Sequence, residues 1–247
     1  MRTPLVVPRA TPLLLAHLGA VARATDHSLD AIRHAPRLGI DGVEVVVWCT
    51  RDGRLVVARQ GRLRRGMRLR ALADVDRDDL TPEIPALPEV LEALGEDRHL
   101  ALHAPDTAVL HACLEAVATV PGLATRTWLC HSDLATCAAW ADAVHRAHDD
   151  GSRAPRVVHV ARLEGLTDGP ERCTARLAEC GVAALALPHE QWTGGLVALA
   201  HRFGLEAFAR NVAFARQARA AALAGCDLVS GGNPAALLEA RRVRTSP

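Results

Sequence analysis

Short hydrophobic runs alternate with longer amphipathic or alanine-rich stretches along the whole chain. The runs have the length of buried β-strands, and the stretches between them have the length and periodicity of helices. Candidate strands lie at Leu13–His17, Val43–Trp48, Leu100–His103, Thr127–His131, Arg156–Val160, Val182–Leu187, Glu206–Ala209 and Asp227–Val229. Eight such strand-then-helix units predict a single parallel (β/α)8 barrel over residues 1–247, an α/β fold. An open doubly wound sheet is the alternative, but no G-x-G-x-x-G follows any strand.

One region departs from this alternation. Residues 58–85 join an arginine-rich stretch to an acidic one, and we expect a charged, irregular insertion there. A nucleic-acid-binding patch is one interpretation of the arginines. A solvated loop, whose charges are balanced by the acidic residues that follow, is the interpretation we favour. Just before it, Asp52-Gly53 is the dipeptide typical of a tight β-hairpin turn.

Composition narrows the function further. The net charge is +1, so no excess of charge predicts nucleic acid or a membrane surface as partner. All 29 basic residues are arginine, which is typical of a GC-rich bacterial genome. The seven cysteines are widely spaced and form no C-x-x-C, so we expect free thiols in a reducing, cytoplasmic environment. Prolines interrupt the apolar N-terminal stretch, which favours a strand over a signal peptide or a membrane span.

Several short motifs follow one another in a definite order. They are His17-Leu18-Gly19, Asp26-His27-Ser28, Glu44-Val45-Val46, Thr50-Arg51-Asp52-Gly53, Arg59-Gln60, the phrase Ile84-Pro85-Ala86-Leu87-Pro88-Glu89-Val90-Leu91, Gly225-Cys226-Asp227 and Gly232-Asn233-Pro234. This order resembles the glycerophosphodiester phosphodiesterase family. The resemblance spans essentially the whole chain and implies a barrel of the phospholipase-C-like phosphodiesterase type.

The resemblance implies a phosphoric diester hydrolase of lipid metabolism. Its reaction is the metal-assisted hydrolysis of glycerophosphodiesters to glycerol 3-phosphate and an alcohol, with magnesium or calcium as the metal. In the family, two histidines act as general acid and base, an arginine holds phosphate, and an E-x-D pair with a later glutamate binds the metal. In this chain His17 and Glu44 match their motif positions. The other positions read Leu18 for the arginine, Val46 for the aspartate, Arg59-Gln60 for the second histidine and its neighbour, His103-Ala104-Pro105 for E-x-K, and Phe208-Ala209-Arg210-Asn211 for the late tryptophan phrase.

These replacements predict that the family's catalysis is lost or altered, which makes the chain a pseudoenzyme candidate. Magnesium and calcium require several hard oxygen ligands, and Glu44 is the one retained of three. Arg59, at the position of the second histidine, stays protonated and cannot shuttle a proton. His17 is therefore the remaining candidate for a catalytic role.

Histidines and arginines gather at the predicted C-terminal ends of the strands, where barrels of this kind build their sites. They are His17, His103, His131, His159 and His189, with Arg59, Arg162 and Arg210 near the same mouth. Three interpretations stay open. The histidines are unrelated strand-end residues, or the mouth binds an anion such as a small phosphate ester without cleaving it. In the third, Glu44 and His103 hold a metal, and the imidazoles shift its identity towards zinc, iron or nickel.

The second interpretation assigns ligand binding to the side chains of Arg162, Arg210, His131 and His159. Arginine and histidine both donate charge-assisted hydrogen bonds to phosphate oxygens. The predicted partner is therefore a small phosphate-containing molecule. The sequence does not indicate whether the chain is a monomer or an oligomer.

Overall fold

The structure is a computed structural model, and it describes residues 9–17, 29–65, 68–95, 97–105, 107–148, 154–166 and 168–244. The strands are β1 (Leu13–His17), β2 (Gly42–Cys49), β3 (Leu55–Val57), β4 (Arg62–Arg65), β5 (Arg68–Ala71), β6 (His99–His103), β7 (Thr127–His131), β8 (Arg156–Val160), β9 (Ala184–Pro188), β10 (Glu206–Val212) and β11 (Leu228–Gly231). The helices are α1 (Leu29–His34), α2 (Leu87–Leu94), α3 (Leu110–Ala118), α4 (Leu134–Ala147), α5 (Gly169–Glu179), α6 (Gly194–Arg202), α7 (Ala215–Ala224), α8 (Pro234–Leu237) and α9 (Glu239–Arg244). Short 3₁₀ turns lie at Ala35–Leu38, Leu72–Asp74, Arg77–Asp79, Thr107–Val109, Ala124–Arg126, Leu163–Gly165 and His189–Gln191.

Eight parallel strands close into a barrel. Their order is β1-β11-β10-β9-β8-β7-β6-β2, and β2 also pairs with β1. This closure confirms the predicted (β/α)8 barrel, because an open doubly wound sheet would leave two strands without a neighbour on one side. The hairpin predicted at Asp52-Gly53 is present, since β3 turns back antiparallel onto β2 and Gly53 has a φ of +78°.

Side chains alternate between the interior of the barrel and the layer under the helices, as the pleat of a strand requires. The interior is filled by Leu15, Ala101, Trp128, Cys130, Val158, Ala184, Ala186, Phe208 and Leu228. The opposite faces of the same strands pack into the larger core beneath the helices. This alternation decides which residues at the strand ends point into the mouth of the barrel.

The described residues of the charged insertion include regular secondary structure. Strands β4 and β5 form an antiparallel ribbon, beside a small separate core of Val56, Ala58, Leu72, Val75 and Leu80. Two ion pairs join the insertion to the residues on either side of it, Asp76 with Arg51 and Arg77 with Glu89. The predicted balance between the arginine-rich stretch and the acidic stretch stays a prediction.

Two expectations from the sequence concern the cysteines and membrane-spanning segments. All seven cysteines lie in the described part of the chain, and none of them forms a disulfide bond. Among the described residues, no helix has both the length and the apolar character needed to cross a membrane.

At the N-terminal end of the barrel, a buried carboxylate joins two neighbouring strands to a helix. Asp227 is fully buried, and its Oδ2 accepts hydrogen bonds from the backbone N–H of Ala207 at 2.8 Å and from Nε2 of His201 at 2.7 Å. Ala207 lies in β10, His201 lies in α6, and Asp227 directly precedes β11. The carboxylate therefore stabilises the closure of the barrel far from its mouth.

Replacing this carboxylate should destabilise the fold without changing the mouth. Asp227→Ala leaves three donors without their acceptor, namely His201 Nε2 and the backbone N–H groups of Ala207 and Arg9, so we expect the free energy of unfolding to fall by about 2–4 kcal/mol. Urea denaturation of the variant and of an exposed control, Asp78→Ala, measures the difference. Equal stabilities of the two variants would contradict a structural role for Asp227.

Candidate functional site

The mouth of the barrel is built around Glu44, a carboxylate buried inside β2. Its side chain is 1% exposed. Its neighbours Val43 and Val45 pack into the core beneath the helices, so the alternation of the strand turns Glu44 into the barrel. Burying a carboxylate is costly unless it is paired and hydrogen-bonded. The surrounding strands supply those partners.

Three side chains from three other strands donate to the two oxygens of Glu44. Nδ1 of His17, on β1, lies 3.0 Å from Oε2. Nε2 of His103, on β6, lies 2.6 Å from Oε1, and Nε of Arg210, on β10, lies 3.0 Å from the same oxygen. His17 lies opposite Glu44 in the pairing of β1 with β2, and His103 lies opposite Val46 in the pairing of β2 with β6. The parallel register therefore brings the histidines and the carboxylate to one level.

The charges of this cluster are set by burial and by the guanidinium. Burial alone raises the pKa of Glu44, but the positive charge of Arg210 and the contacts from His17 and His103 hold it well below its ordinary value. Burial lowers the pKa of His103, although Glu44 opposes that shift. At neutral pH the cluster therefore contains an ionised Glu44, a charged Arg210 and a neutral His103 that donates through Nε2.

Arg210 also lines a cavity of about 500 Å³ at the mouth, together with Arg162. The next residue, Asn211, has a φ of +64°, and the pairing of β10 with β11 shifts register between Ala209 and Val212. Such irregularities re-aim side chains and are concentrated at functional sites. Arg162 is exposed, with Nε 2.9 Å from Oε1 of Glu164. Two arginines from different strand ends therefore face one cavity.

The structure does not bring His131 and His159 to Glu44. The residues before them, Cys130 and Val158, fill the barrel interior, so both histidines point towards the helices. His131 packs edge-on against Trp140 of α4 at 5.1 Å, and Nδ1 of His159 lies 3.8 Å from Sγ of Cys137 in the same helix. Placement at a strand end does not determine which way a side chain points, so the sequence grouped them with His17 and His103. A role of either histidine in ligand binding stays a prediction.

Two other residues predicted at the mouth differ in exposure, since Arg59 is exposed and His189 is partly buried. Arg59 is exposed and follows Ala58, whose N–H donates to the carbonyl of Val46 at 3.1 Å. His189 lies after β9, with Nε2 3.4 Å from Oε2 of Glu190. The motif positions Leu18, Gly19 and Asp26-His27-Ser28 lie outside the described residues. The mouth as described therefore rests on the cluster around Glu44 and the cavity beside it.

Comparison with known proteins identifies the family. The sequence matches the model of the glycerophosphoryl diester phosphodiesterase family over residues 17–234. The chain belongs to this family. This confirms the resemblance found in the sequence motifs. No curated protein matches the sequence significantly.

Solved structures share the fold at low sequence identity. A protein assigned as a glycerophosphoryl diester phosphodiesterase from Silicibacter pomeroyi is 18% identical, with a TM-score of 0.78 over 95% of this chain and 93% of that one. The glycerophosphodiester phosphodiesterase of Thermotoga maritima is 19% identical, with a TM-score of 0.72 over 92% and 96%. A phosphodiesterase of Oleispira antarctica, in complex with its product sn-glycerol 3-phosphate, is 17% identical, with a TM-score of 0.76 over 93% and 96%.

The residues at the mouth do not fit the magnesium or calcium ion that the family implies. Such ions take six or more oxygen ligands, whereas the strand carrying Glu44 offers the alkyl side chain of Val46 at the second position. Both oxygens of Glu44 already accept N–H donors, and the Arg210 guanidinium holds a positive charge that repels a second cation. Among the described residues, no group of three or more His, Cys, Asp or Glu side chains could hold a metal ion. The engaged oxygens of Glu44 and the positive charge of Arg210 also disfavour the predicted zinc, iron or nickel ion at Glu44 and His103.

The pairing of Arg210 with Glu44 is the feature that sequence inspection missed. The two residues lie 166 positions apart and on strands that are not neighbours. A signal was available, since a single glutamate in the apolar run of β2 requires a buried cation or hydrogen-bond donor. Nothing in the sequence indicated which of the 29 arginines meets that requirement.

Removing the Arg210 guanidinium should lower the stability of the folded protein. In Arg210→Met the carboxylate loses its charged partner, so we expect the free energy of unfolding at pH 7 to fall by roughly 3 kcal/mol. Because the folded-state pKa of Glu44 is depressed, its contribution is present above the ordinary value of 4.5 and is lost as the pH falls through the folded-state pKa. The deficit of the variant should therefore shrink below about pH 4.5.

Urea denaturation as a function of pH measures this deficit. The matched control is Arg162→Met, which removes an exposed arginine of the same cavity and should leave stability nearly unchanged. A deficit that is equal at neutral and acidic pH, or equal in both variants, would show that the pairing with Glu44 is not its cause.

Proposed function

We propose that this protein binds a small phosphate-containing ligand at the mouth of its barrel and no longer performs the metal-assisted hydrolysis of its family. The observation that carries this proposal is the position of Arg210, whose Nε pairs with Glu44 at 3.0 Å while its side chain lines the mouth cavity. A fixed guanidinium thus stands beside the retained family carboxylate.

Two guanidinium groups give the cavity its affinity for anions. Glu44 engages Nε of Arg210, and the two Nη groups are donors suited to phosphate oxygens. Arg162 contributes a second guanidinium, which already pairs with Glu164 at 2.9 Å and with Glu190 at 3.8 Å, so a phosphate must compete with these carboxylates for its donors. The cavity of about 500 Å³ falls within the size range of small-molecule sites. The Oleispira antarctica phosphodiesterase binds sn-glycerol 3-phosphate, which makes this ester the first ligand to test here.

Loss of the family reaction follows from the acid–base groups. Hydrolysis by the family mechanism uses two histidines, and Arg59 stands at the second position. Removing one member of an acid–base pair costs on the order of 10²–10⁴ in rate. The missing metal ligands remove a further source of charge stabilisation. Turnover by that mechanism should therefore be undetectable against background.

A hydrolase of altered mechanism is the second candidate, and one contact favours it. His17 is 30% exposed, and its Nδ1 is oriented by Glu44 at 3.0 Å, as a carboxylate orients a catalytic histidine in hydrolases. Nε2 of His17 could then act as a base on a substrate held by Arg210. This candidate predicts slow phosphodiester cleavage that does not respond to metal.

Calorimetric titration with sn-glycerol 3-phosphate tests the binding proposal. We expect saturable binding that weakens as salt rises, persists in chelator, and falls about tenfold in Arg162→Ala, because one charge-assisted contact contributes on the order of 1.5–3 kcal/mol before solvent screening. The charge-matched control is Arg172→Ala, an exposed arginine of α5 that lies outside the cavity lining. A flat titration of the intact protein would reject the proposal.

An assay of glycerophosphocholine hydrolysis with magnesium, calcium or manganese separates the two candidates. The binding proposal predicts no turnover above background under any condition. Cleavage that is lost in both His17→Ala and Glu44→Ala would instead support the altered hydrolase, and dependence on added metal would overturn the account of Arg210.

A further inference from the structure

A second cavity of about 290 Å³ opens beside the mouth cavity. The two share five lining residues: Ser132, Val160, Ala161, Arg162 and Gly165. The rest of the smaller cavity is lined by Leu134, His159, Leu166, Asp168, Cys173 and Arg176, which belong to β8, α4, α5 and the turns before those helices. The smaller cavity is therefore a side pocket of the mouth, and Arg162 stands where the two meet.

The side pocket has apolar side chains of its own. Leu134, Leu166 and Cys173 line it away from the shared boundary, beside polar residues that are neutral or paired. Burial lowers the pKa of His159, so its imidazole is neutral at neutral pH. Asp168 and Arg176 pair at 3.2 Å, so their charges offset each other. Arg162, at the boundary with the mouth cavity, pairs with Glu164 and Glu190, so each charged side chain of the lining is paired with an opposite charge.

We propose that this side pocket binds the second substituent of a phosphodiester and that this substituent is a short, uncharged, aliphatic group. The inference rests on the proposed function, because Arg162 and Arg210 hold the phosphate at the entrance. A phosphate there directs one of its two ester arms past Arg162, into the apolar lining. The ligand class is thus a glycerophosphodiester of a simple aliphatic alcohol.

The same lining disfavours a cationic substituent. Quaternary ammonium groups are recognised by aromatic faces, and none of the residues that line the side pocket is a Phe, Tyr or Trp. Inside the side pocket the acidic side chain is Asp168, and its carboxylate is already engaged by Arg176 at 3.2 Å. The side pocket should therefore add no binding affinity for the choline and ethanolamine diesters.

Calorimetry with three diesters of sn-glycerol 3-phosphate tests this inference, because the methyl, n-butyl and choline diesters share the same glycerophosphate part. Each buried methylene increases the affinity about fourfold, and the entropy lost when the alkyl substituent becomes ordered reduces this increase. We expect the n-butyl diester to bind at least about tenfold more tightly than the methyl diester. The choline diester should bind no more tightly than the methyl diester.

A pocket-filling variant assigns this gain to the side pocket. Leu166 lines the side pocket and not the mouth cavity, so Leu166→Trp should abolish the advantage of the n-butyl diester and leave the affinity for sn-glycerol 3-phosphate unchanged. Cys173→Met narrows the same space from α5 and serves as a second variant. The matched control is Leu223→Trp, since Leu223 is 73% exposed on α7.

The outcomes separate this inference from the proposed function. Binding of sn-glycerol 3-phosphate without any preference for the n-butyl diester overturns the side pocket alone. The side pocket alone is also overturned if the preference for the n-butyl diester persists in both pocket-filling variants, or if Leu223→Trp abolishes it. If neither sn-glycerol 3-phosphate nor any diester binds, the proposed function fails, and the side pocket fails with it.

Discussion

The mouth of this barrel depends on the hydrogen-bonded ion pair between Glu44 and Arg210. The carboxylate is 1% exposed, and an unpaired charge at that depth would be strongly destabilising. The guanidinium comes from β10, which is separated from β2 in the barrel by β11 and β1. The pair therefore joins non-adjacent strands, and the same Arg210 also lines the mouth cavity. Neutral His103 and the partly exposed His17 complete the hydrogen bonds of the carboxylate.

In the proposed function, this pair is what distinguishes the mouth of this barrel from the metal site that the family implies. The family resemblance implies that a metal ion would balance the carboxylates at the strand ends, and here a side chain of the protein balances the one that is retained. A covalently attached cation cannot dissociate, and it does not create a metal-bound nucleophile. Its positive charge persists at all physiological pH values, because arginine stays protonated, so it can bind an anion throughout that range. Binding therefore follows more directly from this geometry than turnover does.

The fold was largely predictable because hydrophobic runs of strand length, separated by amphipathic stretches, occur eight times. The site was predictable only in part. Strand ends placed His17, Glu44 and His103 together correctly, since neighbouring parallel strands end at one level. His131 and His159 also lie at strand ends but point away from Glu44, because the direction of a side chain depends on the exact register of the pleat; their predicted role in ligand binding stays a prediction. The Glu44–Arg210 pair and the side pocket arise from contacts between distant segments, and no local pattern encodes those.

The central claim is that a guanidinium, and not a metal ion, neutralises Glu44. The most direct measurement is an anomalous difference map from crystals of the protein soaked in manganese chloride and recorded at the manganese edge. The account predicts no peak beside Glu44 and an Arg210 side chain that stays within hydrogen-bond distance of the carboxylate. A manganese peak bound to Glu44, with Arg210 displaced from it, would contradict the account.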